Sequence, residues 1–131
     1  MSKPVSVRYI VNDVDEAIRF YTDMLGFKVE THPAAEFAIL SRENLRLLLS
    51  RPGGRGGGGQ AMPDGTMQTP GGRNRFEIEV ENIESKVDKL RKAGCKFRNE
   101  IVIGVGGKQI LLEDPSGNLI ELFQYFQEWK R

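Results

Sequence analysis

The sequence predicts an α+β fold in which one domain contains two βαβββ units. Three observations point to it. The same element order occurs twice, on either side of a glycine-rich segment. Each copy opens with a β-rich run and a capped amphipathic helix. The words Asn44-Leu45-Arg46-Leu47-Leu48 and Asn118-Leu119-Ile120-Glu121-Leu122 close the two copies, as an internal repeat would produce.

In the first copy, residues 5–11 alternate as a short strand. Asp13 offers a helix N-cap, and Glu16 completes a capping-box pattern. Val14, Ala17, Ile18, Tyr21 and Leu25 then recur at helical spacing, and Gly26 stops the helix. Strands are expected over residues 27–31, 36–41 and 45–50, with Ser41-Arg42-Glu43-Asn44 turning between the last two. In the second copy, residues 75–80 form the strand, Asn82 the cap, and Ile83, Val87, Leu90 and Ala93 the apolar helix face, ending at Gly94. Strands follow at 96–100, 108–113 and 119–123, and Asp114-Pro115-Ser116-Gly117 supplies a type I turn. The copies span about residues 4–50 and 74–124 of a single domain covering 1–131. Residues 51–73, including Gly56-Gly57-Gly58-Gly59, read as a flexible linker, since glycines bury no apolar side chain. The alternative is a lid or dimer-crossing arm using Met62, Pro63 and Met67.

Composition narrows the function classes. Lys and Arg number 19 against 18 Asp and Glu, a net charge of +1, so no global basic field points to nucleic acid. No run approaches the ~20 apolar residues of a membrane helix. The N-terminus lacks the basic and apolar regions of a signal peptide, and Cys95 stands alone, so a cytoplasmic setting is expected.

Two segments resemble a known family. One is Val11-Asn12-Asp13-Val14-Asp15-Glu16-Ala17-Ile18-Arg19-Phe20-Tyr21 with Leu25-Gly26-Phe27; the other is Leu112-Glu113-Asp114-Pro115-Ser116-Gly117-Asn118-Leu119-Ile120-Glu121-Leu122. Both are similar to signature stretches of the vicinal-oxygen-chelate superfamily, which includes glyoxalases, bleomycin-resistance proteins and dioxygenases. The resemblance implies curled mixed sheets around a small-molecule cleft, a homodimer in many members, and a divalent metal held by the first and last strands of each unit.

The family's metal positions fall here on Ser6, Leu47, Arg75 and Glu121. Serine is a weak ligand, leucine has no donor atom, and a protonated arginine repels a cation. Glu121 alone is a strong ligand, so no metal or other cofactor is expected. A recruited set of Glu77, Glu121 and His32 ranks below that expectation, and His32 beside Pro33 reads as a solvated turn residue. Alternation puts Ser6, Arg8 and Ile10 on one face and Val7, Tyr9 and Val11 on the other; Arg75, Glu77 and Glu79 likewise oppose Phe76, Ile78 and Val80. An Arg75–Glu121 ion pair is expected where relatives hold the metal, against the alternative of a merely solvated polar face. Arg8 and Arg75 favour an anionic ligand group, whereas Glu77 and Glu79 favour a cation or a polyhydroxylated one, and both remain open.

Other motifs carry less. Gly104-Val105-Gly106-Gly107-Lys108 lacks P-loop spacing and precedes a strand, so a hairpin or bulge is expected, with Lys108 and Gln109 near the cleft rim. Cys95 reads as a packed thiol. Lys86, Lys89, Arg91, Lys92 and Lys96 read as a solvated helix face. Phe123, Tyr125, Phe126 and Trp129 would cap the sheet or build a dimer contact.

The expected function is metal-independent sequestration of a small-molecule ligand through Ser6, Arg8, Leu47, Arg75, Glu77, Gln109 and Glu121, in a cytoplasmic homodimer without nucleic-acid or membrane partners. The alternative is a metal-free isomerase or lyase with Glu121 as base and Arg75 or Arg8 stabilising an oxyanion. A divalent-metal glyoxalase or dioxygenase ranks lower.

Overall fold

Asp13 sets where the first helix begins: its side chain accepts the Glu16 amide at 3.0 Å, satisfying a donor that no helical carbonyl can reach. The helix, α1, runs Val14–Leu25 and ends at Gly26, whose φ of 74° is a left-handed conformation suited to glycine. Asn82 repeats the device for α2, Ile83–Lys92, accepting the Ser85 amide at 3.0 Å. The computed structural model describes residues 3–54 and 58–127. Gly56, Gly57 and Trp129 of the sequence reading lie outside them.

The described chain forms two compact units. In the first, β1 (Val5–Ile10), β2 (Lys28–Ala34), β3 (Phe37–Arg42) and β4 (Leu45–Ser50) make one sheet ordered β1-β4-β3-β2, with β1 and β4 parallel. In the second, β5 (Arg75–Glu79), β6 (Lys96–Phe97), β8 (Gly107–Glu113) and β9 (Leu119–Tyr125) are ordered β5-β9-β8-β6, and β7 (Val102–Ile103) also pairs with β8. Here too the opening and closing strands, β5 and β9, run parallel. The two mixed sheets with one helix each realise the α+β, twice-repeated βαβββ architecture.

Each unit buries the helix-side face of its sheet. In the first, Val14, Ala17, Phe20, Tyr21 and Leu25 of α1 are buried, as are Tyr9, Val11, Ala38, Leu40, Leu47 and Leu49. Tyr21 is fully enclosed and makes edge-on ring contacts with Phe20 and Phe27. In the second, Ile83, Val87 and Leu90 of α2 are buried, as are Ile78, Ile110, Leu112, Ile120 and Leu122.

Several boundaries differ from the sequence reading. β2 extends to Ala34 through His32 and Pro33, as an exposed edge strand can when the proline needs no ladder donor. His32 is therefore a strand residue, 3.7 Å from Asp15. Phe20 rather than Ile18 completes the buried stripe of α1, and Ala93 is exposed at the C-cap of α2. β6 stops at Phe97, and β7 and β8 form the glycine hairpin, closed by the Gly104 amide on the Gly107 carbonyl at 2.8 Å. A Cβ on Gly107 would lie 2.1 Å from the Gln124 carbonyl oxygen, so this close strand approach requires glycine.

The glycine-rich segment is partly tied down where it is described. Gly53 donates to the Gly59 carbonyl at 2.7 Å, and a Cβ on Gly58 would come within 2.4 Å of the Arg8 side chain. Residues 115–118, the turn joining β8 to β9, belong to the first unit. The Asn12 amide donates to Ser116 Oγ at 2.8 Å, and Asn118 Nδ2 donates to the Ile10 carbonyl at 2.8 Å. Asn118 Oδ1 accepts the Gly71 amide, also at 2.8 Å. This explains the Asp-Pro-Ser-Gly-Asn stretch physically: its polar side chains satisfy backbone groups at the end of β1 and of the glycine-rich segment.

Candidate functional site

In the second unit, the face of the sheet turned from α2 gathers most of the chemistry. The register sets Arg75 opposite Leu119, Glu77 opposite Glu121, and Glu79 opposite Phe123. Gln109 pairs with Phe123 and so joins the same face. Arg75 Nε donates to Glu121 Oε1 at 3.1 Å, and Nη1 donates to the Arg73 carbonyl at 3.2 Å. The Glu121 side chain is only 12% exposed, so a partly desolvated carboxylate has its charge met by the guanidinium. The expected ion pair is present.

Beside it, the Tyr125 hydroxyl donates to Glu77 Oε1 at 2.7 Å. Burial, with Glu121 and Glu79 close by, raises the Glu77 carboxyl above its ordinary pKa, although the Tyr125 hydrogen bond pulls the other way. That bond in turn raises the Tyr125 phenol. The Phe123 and Tyr125 rings lie 4.4 Å apart, adding an aromatic surface to the polar set. Tyr125 was legible only as part of an aromatic cluster. The missed signal is that alternation from Glu121 through Phe123 continues to Tyr125 once β9 is two residues longer.

In the first unit, the face turned from α1 carries Ser6 and Arg8. Ser6 Oγ accepts Arg46 Nε at 3.2 Å, and Arg8 Nη1 donates to Ser50 Oγ at 2.9 Å. Leu47 is not on this face. It pairs with Val7 and is fully buried on the helix side, whereas Leu48 pairs with Arg8. The repeated Asn-Leu words align Leu47 with Glu121, but the parallel register makes Leu48 the counterpart of Glu121, because Arg8 and Glu77 are equivalent when counted from the caps. A one-residue offset reverses the face, and Leu47 leaves the candidate set.

The family's metal positions are thus Ser6, Leu48, Arg75 and Glu121. Correcting the offset replaces one leucine with another and supplies no donor. Arg75 occupies its position as a cation bound to the one acidic residue. These residues do not fit a divalent ion. Among the described residues, no three His, Cys, Asp or Glu side chains come together in a metal-holding group, and His32 faces Asp15 instead.

Other candidates resolve simply. Lys108 turns to α2, where Nζ meets Glu84 at 2.7 Å, which removes it from the Gln109 face. The Cys95 thiol is pushed up by burial, consistent with a packed, unreactive group. Lys92 pairs with Asp88 at 2.9 Å, and Arg91 meets Glu100 at 3.2 Å, as a solvated helix surface would.

The family model for the Glyoxalase/Bleomycin resistance protein/Dioxygenase superfamily matches residues 3–122. The chain belongs to that superfamily. It is 29% identical over 120 residues to the virulence protein STM3117 of Salmonella typhimurium, covering 88% of this chain and 78% of that protein. The crystal structure of that protein superposes with a TM-score of 0.74, covering 96% of this chain and 98% of that one at 24% identity. The antibiotic-binding protein TnmS3 from Streptomyces sp. CB03234 gives a TM-score of 0.71 at 20% identity over 96% and 98%. A lactoylglutathione lyase from Agrobacterium tumefaciens gives 0.71 at 17% over 95% and 94%. The superfamily fold therefore appears in solved structures described both as a binder and as an enzyme. None of the described helices is long and apolar enough to cross a membrane.

Proposed function

We propose that this superfamily member binds a small organic molecule without a divalent metal and holds it rather than transforming it. The observation that carries the reading is the Arg75–Glu121 pair, in which a guanidinium engages the one acidic residue of the family's metal set. The antibiotic-binding relative supports sequestration as an activity this fold sustains. Around the pair, Glu77, Glu79 and Glu121 outnumber Arg75, and Phe123 and Tyr125 add aromatic rings. That set favours a ring-containing ligand with a cationic or donor-rich group. Of the two ligand classes left open by the sequence, this sheet supports the cationic one.

Native mass spectrometry after incubation with divalent metals tests the reading. The expected spectrum holds no stoichiometric metal and retains small organic adducts. One metal per subunit overturns it. The same spectrum reads the homodimer that belongs to this proposal, as does the cytoplasmic setting favoured by the single packed thiol of Cys95.

A second reading has its own observation. The raised Glu77 carboxyl, bonded to Tyr125 and next to Glu121, is the kind of perturbed acid that serves proton transfer. A metal-free isomerase or lyase would use Glu121 or Glu77 as base and Arg75 to steady an oxyanion. Turnover of a bound compound, abolished by Glu121→Gln with binding retained, would favour it over sequestration.

A further inference from the structure

The first unit carries a groove of about 750 Å³, lined by open-face residues of its sheet together with Gly26 and Arg42 at the C-terminal end of α1. Its lining includes Lys28, Arg42 and Arg46 against Glu30 and Glu43, with Ile39 and Ser41 between. Two of the cations are already committed. Lys28 lies 3.5 Å from Glu30; Arg42 lies 3.0 Å from Glu43 and donates Nε to the Leu25 carbonyl at 2.9 Å. Glu30 is in turn engaged by the Ser41 hydroxyl.

Arg46 differs. Its Nε donates to Ser6 Oγ, and it has no carboxylate in salt-bridge contact among the described residues. Glu30 feels its charge only as the weakest of several influences. Both terminal nitrogens of the fork remain for another acceptor.

The register explains why the groove is organised around this residue. Ser6, Arg46, Ser41 and Lys28 form one cross-strand row over β1, β4, β3 and β2. The adjoining row on the same face is Arg8, Leu48, Ile39 and Thr31. A row of cations and hydroxyls therefore borders half-buried Leu48 and Ile39. A planar fork suits the paired oxygens of a carboxylate or phosphate, and the neighbouring aliphatic side chains suit an apolar body.

We propose that this groove is a binding subsite for an organic anion, a carboxylate or phosphate on an apolar body, with Arg46 as its anchor. Ser6 fixes the guanidinium from the Nε side, and Ile39 supplies the apolar lining. The subsite does not rest on the reading of the second sheet.

The test is a backbone-amide NMR titration of the full chain with benzoate, phenyl phosphate and inorganic phosphate. Binding of benzoate or phenyl phosphate should shift the amides of Lys28, Ile39, Ser41 and Arg46, and comparing the two identifies the preferred anion. Inorganic phosphate, lacking the apolar body, should bind more weakly. Arg46→Gln should weaken the preferred organic anion by about tenfold or more, the scale expected for losing a charge-assisted contact. Arg46 is exposed, so its variant should fold; unchanged shifts elsewhere in the spectrum check that. Lys92→Gln, on the solvated surface of α2, should leave the titration of the groove unchanged. No shift in the groove with either organic anion, shifts spread over all surface cations, or unaltered affinity in Arg46→Gln would each overturn the proposal.

Discussion

The two units share a backbone plan and differ in the chemistry of their open sheet faces. Both start with a strand, cap the following helix with an Asx side chain, and pair their first and last strands in parallel. The helix-side positions are interchangeable in kind: buried aliphatic and aromatic groups in each. On the opposite faces, the first unit sets Ser6, Arg46, Ser41 and Lys28 in a row, whereas the second presents Arg75, Glu77, Glu79 and Glu121. Close packing constrains the buried face by volume and apolarity. The open face is subject to neither restraint, so a duplicated unit can keep its core pattern while one copy becomes basic and the other acidic.

The largest expected effect tests the register on which this contrast depends. Leu47→Ala should cost about 2–5 kcal/mol in denaturant unfolding, as a fully buried leucine does, and Leu48→Ala clearly less. The reverse order would return Leu47 to the open face and break the comparison. Next comes the close strand approach peculiar to the second sheet. Gly107→Ala should destabilise by roughly 1–3 kcal/mol because its methyl would collide with the Gln124 backbone. Gly104→Ala, whose Cβ would meet nothing nearer than 3.9 Å, is the matched control and should change little.

The acidic character of the second face is sharpened by titration. Carboxyl NMR should place Glu77 above an ordinary glutamate, and Tyr125→Phe should raise it further by removing a bond that stabilises the carboxylate. The sign for folding follows from that direction. A raised native pKa favours the protonated form, so this contribution is complete below the unfolded value and is lost as pH rises through the native one. Glu77→Gln should remove that part of the pH dependence and add under about 1 kcal/mol at neutral pH, since the group is largely solvated. A Glu77 midpoint at or below the ordinary value would contradict the burial and charge crowding described. A similarly small effect is expected from Arg75→Gln, about 0.5–1 kcal/mol in thermal unfolding, because the guanidinium side chain is 34% exposed.

Most of the fold was legible because its signals are local. Asp13, Asn82 and Gly26 announce helix ends through backbone groups within a few residues, and alternation assigned Ser6 and Val7, or Arg75 and Phe76, to opposite faces. The Arg75–Glu121 pair was readable for the same reason, once the family resemblance supplied the strand order. Leu47 was misassigned because the register between β1 and β4 is a long-range property, and a matching dipeptide does not fix it. Arg46 escaped notice because its place beside Ser41 and Lys28 depends on three strand registers at once. Tyr125 required the true length of β9, and β7 is too short to leave a periodic trace.

The hydrogen bonds of the β8–β9 turn also bear on how the polypeptide is made. Asn118 and the Ile10 carbonyl it holds are 108 residues apart, and Ser116 reaches Asn12 across 104. At ~5–20 residues per second of synthesis, the first strand and helix emerge from the ribosome several seconds before the side chains that secure their edge. The amino-terminal half therefore matures late in one respect: its Ile10 carbonyl and Gly71 amide wait in water until Asn118 has been translated. Early folding can establish the core around Tyr21, but the final closure of that half belongs to a turn made more than a hundred residues later.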